Sequence, residues 1–512
     1  MKKEYVNLYD THGRSLGATN RWQVVPDAAD YIIFKDGNLI KAKNGKTGVI
    51  EFSDTSFSNV LQSAINNQQN GKIAILSETY QLDGQINLAS NIEIEGIGKV
   101  IIKFVDNYPD DNGFYGLSVS NVTIKNIEFD GNKANNTSNQ YDAIHFSNGC
   151  NYNKILDNYI HDFPTQGARG YGIIFSEDNN NYNTIVNNLI KDTQRDAIVL
   201  RDTSNNNNII ANNTIIFTED HGVISQKTGI VVMGNYNLIY SNYFDGTQIP
   251  YESGNTTPQG LQYFALSLFE SKNLVFGNHL YGTVGEVIYD HDGDNIIIGN
   301  ILRGARGSIG YGIGSAPNNL IIGNYIKDCW QTGIVSQDNN YIVSNFIDGT
   351  GEIIGERKTY NGIIIHGSRC VVKSNMITNM YTRDIYISSD ATGTQVVSNY
   401  LGKGIILDEG TDTYIENNIN YDNKRVVTIS ENHSAKYGEI ILSDASAGAI
   451  SVTLPEPKKD MVVIVKKIDS STNAVTILPN GSETIDGGTS FSLANQNDYV
   501  RLVSDGTNWY SI

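Results

Sequence analysis

Three short phrases hold the residue types that glycosidic chemistry needs. Asp142 in "YDAIHF", Tyr171 in "YGIIF" and Asp196 in "RDAIVL" each stand just before a small residue that opens an apolar strand. Stacked strands would set the two aspartates two spacings apart, about 9.6 Å between backbones. Carboxyl groups about 6.5–9.5 Å apart suit an inverting hydrolase, in which one protonates the leaving oxygen and the other activates water. Tyr171 between them suits a sugar ring. The plainer reading is that each aspartate caps a loop by accepting backbone N–H groups.

Other polar residues gather on the same stretch. His145 stands beside Asp142, Arg169 lies in "TQGARGYG", Arg195 precedes Asp196, and "TEDHG" brings Glu219, Asp220 and His221 together. The catalytic candidates are therefore Asp142, Asp196, His145 and Asp220. Arg169 and Arg195 are candidates for substrate binding because a guanidinium fork matches a uronate carboxylate, and a plain salt bridge is their commoner role. Tyr171 and His221 join them, as does Tyr251 in the longest insertion, "GTQIPYESGNTTPQGLQYF". Long loops on a rigid scaffold are where specificity usually sits.

Further along, "EVIYDHDGDN" presents Glu286 as a sixth binding candidate, and then Asp290, Asp292 and Asp294. Alternating carboxylates around a glycine make those three aspartates candidate ligands of calcium. The glycine, however, falls at the fourth place, where the familiar calcium loop has it at the sixth, and a solvated turn is the plainer reading. The chemistry itself requires no cofactor.

What must position these side chains is a repeat. Asparagines 126, 158, 188, 213, 242, 278, 300, 324, 345, 375, 399 and 418 each end a short apolar strand and are 19 to 36 residues apart. A second short strand follows each ("YIHD", "LIKD", "YIKD"), then a loop of variable length and a third strand such as "GIIF" or "AIVL". Ile- and Val-rich alternation of period two makes these β-strands. One such unit cannot bury its own apolar face, so stacked copies must close a shared core. Stacking also sets each asparagine above the last, where amides can hydrogen-bond along the pile while the backbone bends.

Composition sets the bounds. The chain has 512 residues, a formal charge of −18, 49 glycines and 9 prolines. That charge repels phosphate backbones and argues against nucleic acid as a partner. No run of about 20 apolar residues provides for membrane insertion, and the opening "MKKEYVNLYDTHGRS" has no apolar stretch of the secretory kind. Three well-separated cysteines, Cys150, Cys329 and Cys370, indicate no disulfide framework.

With phrases such as "NVTIKNIEF" and "NNIIANNTI" on the page, the chain resembles the right-handed parallel β-helix proteins of the pectate lyase-like superfamily over about residues 71 to 424. The resemblance implies an all-β solenoid and leaves the reaction open, because that superfamily includes lyases, hydrolases, epimerases and non-catalytic spikes. Within "SDTSFSNVLQSAINNQQNG", Phe57, Val60, Leu61, Ala64 and Ile65 share one helical face, with Asp54 or Thr55 as the expected cap. That helix would cover the first open turn of the coil. The segment "GKIAILSETYQLDGQINLASNIEIEGIG" resembles the entry turn of phage tailspikes, with Ser77 and Glu78 in place of the usual Pro and Gly. The expected organisation is a β segment over 1–50 serving attachment, a capped β-helix over 51–424 and a small β-sandwich over 425–512, the last resembling C-terminal domains of phage tail proteins through "TIDG" and "SDGTNWYSI".

The third strand turns Ile174, Val199, Val231, Val335 and Ile364 outward, an apolar stripe that loops or another chain must cover. The tailspike resemblance implies a parallel homotrimer, and with it a virion-tail or extracellular location. The function expected is binding and hydrolytic cleavage of a surface polysaccharide. Two other classes stay open: a polysaccharide lyase or uronan epimerase, of which neither the arginine pattern nor a "DPH" triplet is present, and a non-catalytic glycan-binding adhesin.

Overall fold

The computed structural model describes residues 5–9, 15–20 and 29–512, apart from 69, 138–139, 165–168, 220–225, 251–261, 308, 350–359, 420–424, 437 and 458–460. The chain forms two compact units, Met1–Ile419 and Asn420–Ile512.

The first unit is a right-handed parallel β-helix. Each turn has three strands, as in Lys154–Leu156, Tyr159–His161 and Ile173–Ser176. Each strand pairs in parallel with its counterpart one turn on, so that Ile155 lies against Ile185, Ile160 against Ile190 and Ile173 against Ile198. The third strands form one 13-stranded sheet that begins at Ile86–Asn87 and ends at Ile406–Asp408. Residues at alternate positions point inward, and Ile144, Phe146, Ile155, Ile160, Ile198 and Leu200 are fully buried. Burying one such side chain is worth about 1.5–3 kcal/mol, and the stack repeats the gain at every turn.

The bends are held by asparagine. Asn158 starts a ladder, and from Asn188 through Asn213, Asn242, Asn278, Asn300, Asn324, Asn345, Asn375 and Asn399 to Asn418 each Oδ1 accepts both the backbone N–H and the side-chain amide of the asparagine one turn earlier. Each Nδ2 also donates to a carbonyl of the preceding turn, as Asn188 does to Ile155 at 2.9 Å. The bend is therefore buried with its polar groups satisfied, which is what makes burial affordable. Asn126 is not in this column: the first partner of Asn158 is Ile127, whose N–H donates to Asn158 Oδ1 at 3.2 Å. Asn126 is exposed and sits one residue earlier, with a φ of 58°. That column is left-handed throughout and takes Asp157, Asn187, Asn212, Ser241, Gly277, Gly299 and Gly323, residues that tolerate or favour it. A second ladder, Asn153–Asn183–Asn208–Asn237–Asn273–Asn295–Asn319–Asn340, closes the other end of the first strand.

At the start of the coil, Tyr31–Asp36, Leu39–Asn44 and Ile50–Asp54 form an antiparallel ribbon whose first strand pairs in parallel with Gly71–Leu82. The single α-helix among the described residues, Phe57–Asn67, buries Phe57, Val60, Leu61, Ala64 and Ile65. Its cap is Ser56, whose hydroxyl accepts from Asn59 N at 3.1 Å, rather than Asp54 or Thr55. The Asp54 carboxylate instead accepts the N–H groups of Thr55 and Ser56.

The outward residues Ile174, Val199 and Val231 are 1%, 2% and 6% exposed within a single chain. They cluster with Tyr171, Met233 and Phe269. Over these turns the apolar stripe is covered within a single chain; Val335 and Ile364 are half-buried.

The second unit is two sheets, of five and four strands. Successive strands alternate between them and pair in parallel, Arg425–Ile429 with Glu439–Ser443 and then Val462–Lys467 in one, His433–Ser434 with Ile450–Thr453 and then Val475–Leu478 in the other. Antiparallel strands Phe491–Leu493, Tyr499–Ser504 and Trp509–Ser511 finish it. The core includes Ile441, Val452, Val463, Val465, Ile477, Leu502 and Trp509. The sandwich is thus a coil of two-stranded turns with a hairpin closure.

Candidate functional site

The outward face of the third-strand sheet carries the candidate site. Ile144 aligns with Ile173 and Ile198, which sets Asp142, Tyr171 and Asp196 in one column two residues earlier, as the sequence implied. A groove of about 820 Å³ opens over the first of these turns. It is lined by Asp110, Asp111, Asn112, Tyr115, Asp142, His145, Ser147, Arg169, Tyr171, Ser176, Glu177 and Arg201, among others. Asp196 does not line it.

Both aspartates accept backbone N–H groups, from different loops. Asp142 is 1% exposed; its Oδ1 accepts from Gly170 N at 3.0 Å and Tyr171 N at 3.1 Å. Its Oδ2 faces His145 Nδ1 at 3.3 Å and Arg169 Nη1 at 3.8 Å. Asp196 Oδ1 accepts from Thr228 N at 2.6 Å. Burial pushes the Asp196 carboxyl up, against the opposing pull of Arg195, Lys227 and Arg201. Both are loop caps, and the expected pair facing one glycosidic bond is not formed, because only Asp142 reaches the groove.

Around them the charges interlock. Arg169 Nη1 donates to Asn112 Oδ1 at 3.3 Å, and its Nη2 meets Asp111 at 3.4 Å. Arg195 and Arg201 both lie over the Tyr171 ring, at 5.3 and 5.6 Å from its centre, and burial raises its phenol. Arg195 Nε is buried without a hydrogen-bond partner. Asp220, His221 and Tyr251 lie outside the described residues.

Glu286 occupies the same column as Asp142 farther along the sheet, two residues before Ile288, which aligns with Leu266 and Ile313. It lines a smaller cavity of about 260 Å³ with Tyr289, Asp290, His291, Tyr311 and Gly314. It is 7% exposed, Oε2 has no partner, and burial pushes the carboxyl up to about 7. The outward position that would fill this space is Gly314, where a Cβ would come within 3.2 Å of Glu286 Cγ.

Asp290, Asp292 and Asp294 do not converge. Asp290 faces the core, accepting from Asn295 Nδ2 at 2.8 Å, Asn319 Nδ2 at 2.5 Å and Ala316 N at 3.2 Å, and burial pushes it up to about 6. Asp292 is exposed and bonded to His291 Nδ1 at 2.6 Å. Asp294 sits in the left-handed position before a ladder asparagine, with a φ of 53°. The calcium expectation at this loop is therefore corrected: alternation in sequence placed one carboxylate in the core and two at the surface. Among the described residues, Asp130, His161 and Asp162 are the group whose ligand atoms converge, and Lys103 and His161 already pair with its carboxylates.

Sequence reasoning missed Asn112, Tyr115, Ser176 and Arg201. The available signal was register: Ser176 stacks on Ser147, and Tyr115 on His145. A further cavity of about 380 Å³, lined by Tyr243, Asp245, Tyr281, Arg303, Asp328 and Trp330, lies among the second strands and the turns after them.

Residues 90–261 match the right-handed β-helix region family, and residues 220–403 match the family described as periplasmic copper-binding protein NosD. No curated protein sequence matches the chain. Among solved structures it is similar to the catalytic domain of a GH87 α-1,3-glucanase in complex with tetrasaccharides, at 14% identity and a TM-score of 0.42, over 71% of this chain and 64% of that one. The chain thus spans less than two thirds of that domain. A PL6 family polysaccharide lyase from Pseudopedobacter saltans matches at 15% identity and 0.47, over 70% and 91% of the two chains. A tailspike protein of E. coli bacteriophage HK620, in complex with a pentasaccharide, matches at 11% and 0.45, over 92% and 85%. At these identities the likeness concerns the fold alone. Within 220–403, no three described His, Cys, Asp or Glu residues converge as metal ligands would.

Proposed function

We propose that this chain binds a polysaccharide strand along the outward face of the third-strand sheet and cleaves it hydrolytically in the groove around Asp142. The observation that supports this reading is the lining of that groove: carboxylates (Asp110, Asp111, Asp142, Glu177), guanidinium groups (Arg169, Arg201), His145 and Tyr115 on successive turns of a rigid sheet. Hydroxyl-rich and acidic sugars are recognised by such donors and acceptors beside aromatic rings. Of the candidates named from sequence, Asp142, His145, Arg169 and Tyr171 line the groove, and they carry the proposal; Arg195 lies over the Tyr171 ring and Asp196 holds the Thr228 backbone.

A second reading, glycan binding without cleavage, is favoured by one feature: Asp142 Oδ1 already accepts two backbone N–H groups. Exposure to a panel of neutral and uronate-containing polysaccharides, with product masses read by mass spectrometry, separates the two. Fragments carrying added water that vanish in Asp142→Asn support hydrolysis, and binding without fragments supports the adhesin. Fragments with an unsaturated end would instead mark a lyase. Self-association and attachment to a virion tail belong to the same reading. Self-association is supported by an outward first-strand column of Leu238, Leu274, Ile296, Leu320 and Tyr341, in register over successive turns. Sedimentation of the full chain tests it, a monomer counting against a trimer.

A further inference from the structure

One chain of hydrogen bonds crosses the groove floor and reaches a pair of serines, Ser176 Oγ lying 3.4 Å from Ser147 Oγ. Gln85 Oε1 accepts from Asn112 Nδ2 at 3.0 Å. This turns the Asn112 carbonyl oxygen toward His145 Nδ1, 2.8 Å away, and Arg169 Nη1 donates to the same oxygen. An amide oxygen can only accept, so Nδ1 must carry the imidazole proton. Asp142 Oδ2, 3.3 Å from Nδ1, reinforces that tautomer. The lone pair is then left on Nε2, and the group facing Nε2 is Ser176 Oγ, at 2.7 Å. His145 is thus a base with its orientation set from behind and a hydroxyl in front of it.

These residues come from turns that register places side by side: Ile86, next to Gln85, pairs with Phe114, Asp142 with Asn112, and Ser147 with Ser176. The His145 ring is braced by Tyr115, edge to face at 5.4 Å. Its side chain is 12% exposed and that of Asp142 2%, so the acid end is buried, whereas Ser176 is half-buried and lines the groove. Nucleophile, base and orienting group in that order are the elements of serine-based acyl transfer, which arises on unrelated folds wherever the geometry is met.

We infer that Ser176, His145 and the Asn112–Asp142 pair form an acyl-ester hydrolase site, which removes acyl groups from hydroxyls of the glycan held in the groove. Ser176 Oγ adds to the ester carbonyl carbon while its proton passes to His145 Nε2. The bond from that carbon to the sugar oxygen breaks, and the oxygen leaves with the proton from Nε2. Water, giving a proton to Nε2, then adds to the acyl-serine; the bond to Ser176 Oγ breaks, the serine regains its proton and a carboxylic acid departs. Arg169 and Arg201 line the same space as cations for the developing oxyanion. The glycan as acyl carrier rests on the proposed function, and the catalytic trio does not.

The test uses the full chain, p-nitrophenyl acetate as a sugar-free ester, and a fluorophosphonate probe located by peptide mass spectrometry. The expected result is turnover of the ester and one adduct on Ser176. Ser176→Ala should fall to the buffer rate, and His145→Gln should label about 10²–10⁴-fold more slowly. Asn112→Ala should slow labelling without moving the adduct, since it acts through His145. Thermal melting shows that the variants fold. Wild type no faster than Ser176→Ala, an adduct elsewhere, or His145→Gln labelled at the wild-type rate would overturn the inference. Ester turnover with no glycan bound would keep this site and remove the glycan reading; glycan cleavage without ester turnover or labelling would do the reverse.

Discussion

Replacing Glu286 by glutamine isolates a single buried charge. The side chain lies in the space left by Gly314, 7% exposed, with Oε2 unpartnered. Burial there moves its carboxyl from the ordinary 4.5 to about 7. Between those values the folded chain keeps a proton that the unfolded chain has released. Stability must therefore fall as pH rises through this window and level off above it. At about 1.4 kcal/mol per pH unit the loss is about 3 kcal/mol. Glutamine keeps the shape and removes the titration, so the variant should match wild type at pH 4 and melt higher at pH 8. Asp290, pushed up to about 6, contributes a slope of the same sign that stays in both proteins. Calorimetry of both proteins at the two pH values reads the difference. An equal gap at pH 4 and pH 8, or a variant less stable at pH 8, would refute a buried, uncompensated carboxyl.

Asn278→Ala removes the acceptor of Asn242 N (2.9 Å) and Asn242 Nδ2 (3.0 Å) and the donor to Ile239 O (2.9 Å); a loss of about 3 kcal/mol is expected, read as a lower melting midpoint. Ser56→Ala deletes the bond to Asn59 N and should cost about 1 kcal/mol, whereas Thr55→Ala should change the midpoint little. Arg169→Ala leaves Asp111 and Asn112 without their cation and should weaken binding of uronate-containing glycans more than of neutral ones, measured by calorimetric titration.

What could be seen in the sequence was what repeats. Ile and Val at alternate positions, and an asparagine at each bend, defined the three strands and the stacking, because every turn solves the same burial problem. Single positions were harder. Asn126 slipped by one residue because the left-handed column beside the ladder also favours asparagine, so residue type could not separate a stacked amide from a strained turn. The second ladder, Asn153 to Asn340, escaped attention because it opens strands rather than ending them. The column of Asp142 and Asp196 was legible; the direction of their side chains was not, since a residue at the edge of a strand can tip toward the next turn's N–H groups or into the groove. In "DHDGDN" the alternation that suggested a metal loop is ordinary strand alternation running into a turn. Ser176 was invisible for a different reason: its meaning comes from a histidine one turn away, and only the register joins them.

The most direct test of the account is whether the groove handles glycans. Wild type, Asp142→Asn and Arg169→Ala would be incubated with the same panel of neutral and uronate-containing polysaccharides, with binding measured by titration and products weighed by mass spectrometry. Wild type should bind at least one polysaccharide and cut it to fragments carrying added water, with cleavage lost in Asp142→Asn and binding weakened in Arg169→Ala. Cleavage and binding undiminished in both variants, or no polysaccharide bound by any protein, would contradict it.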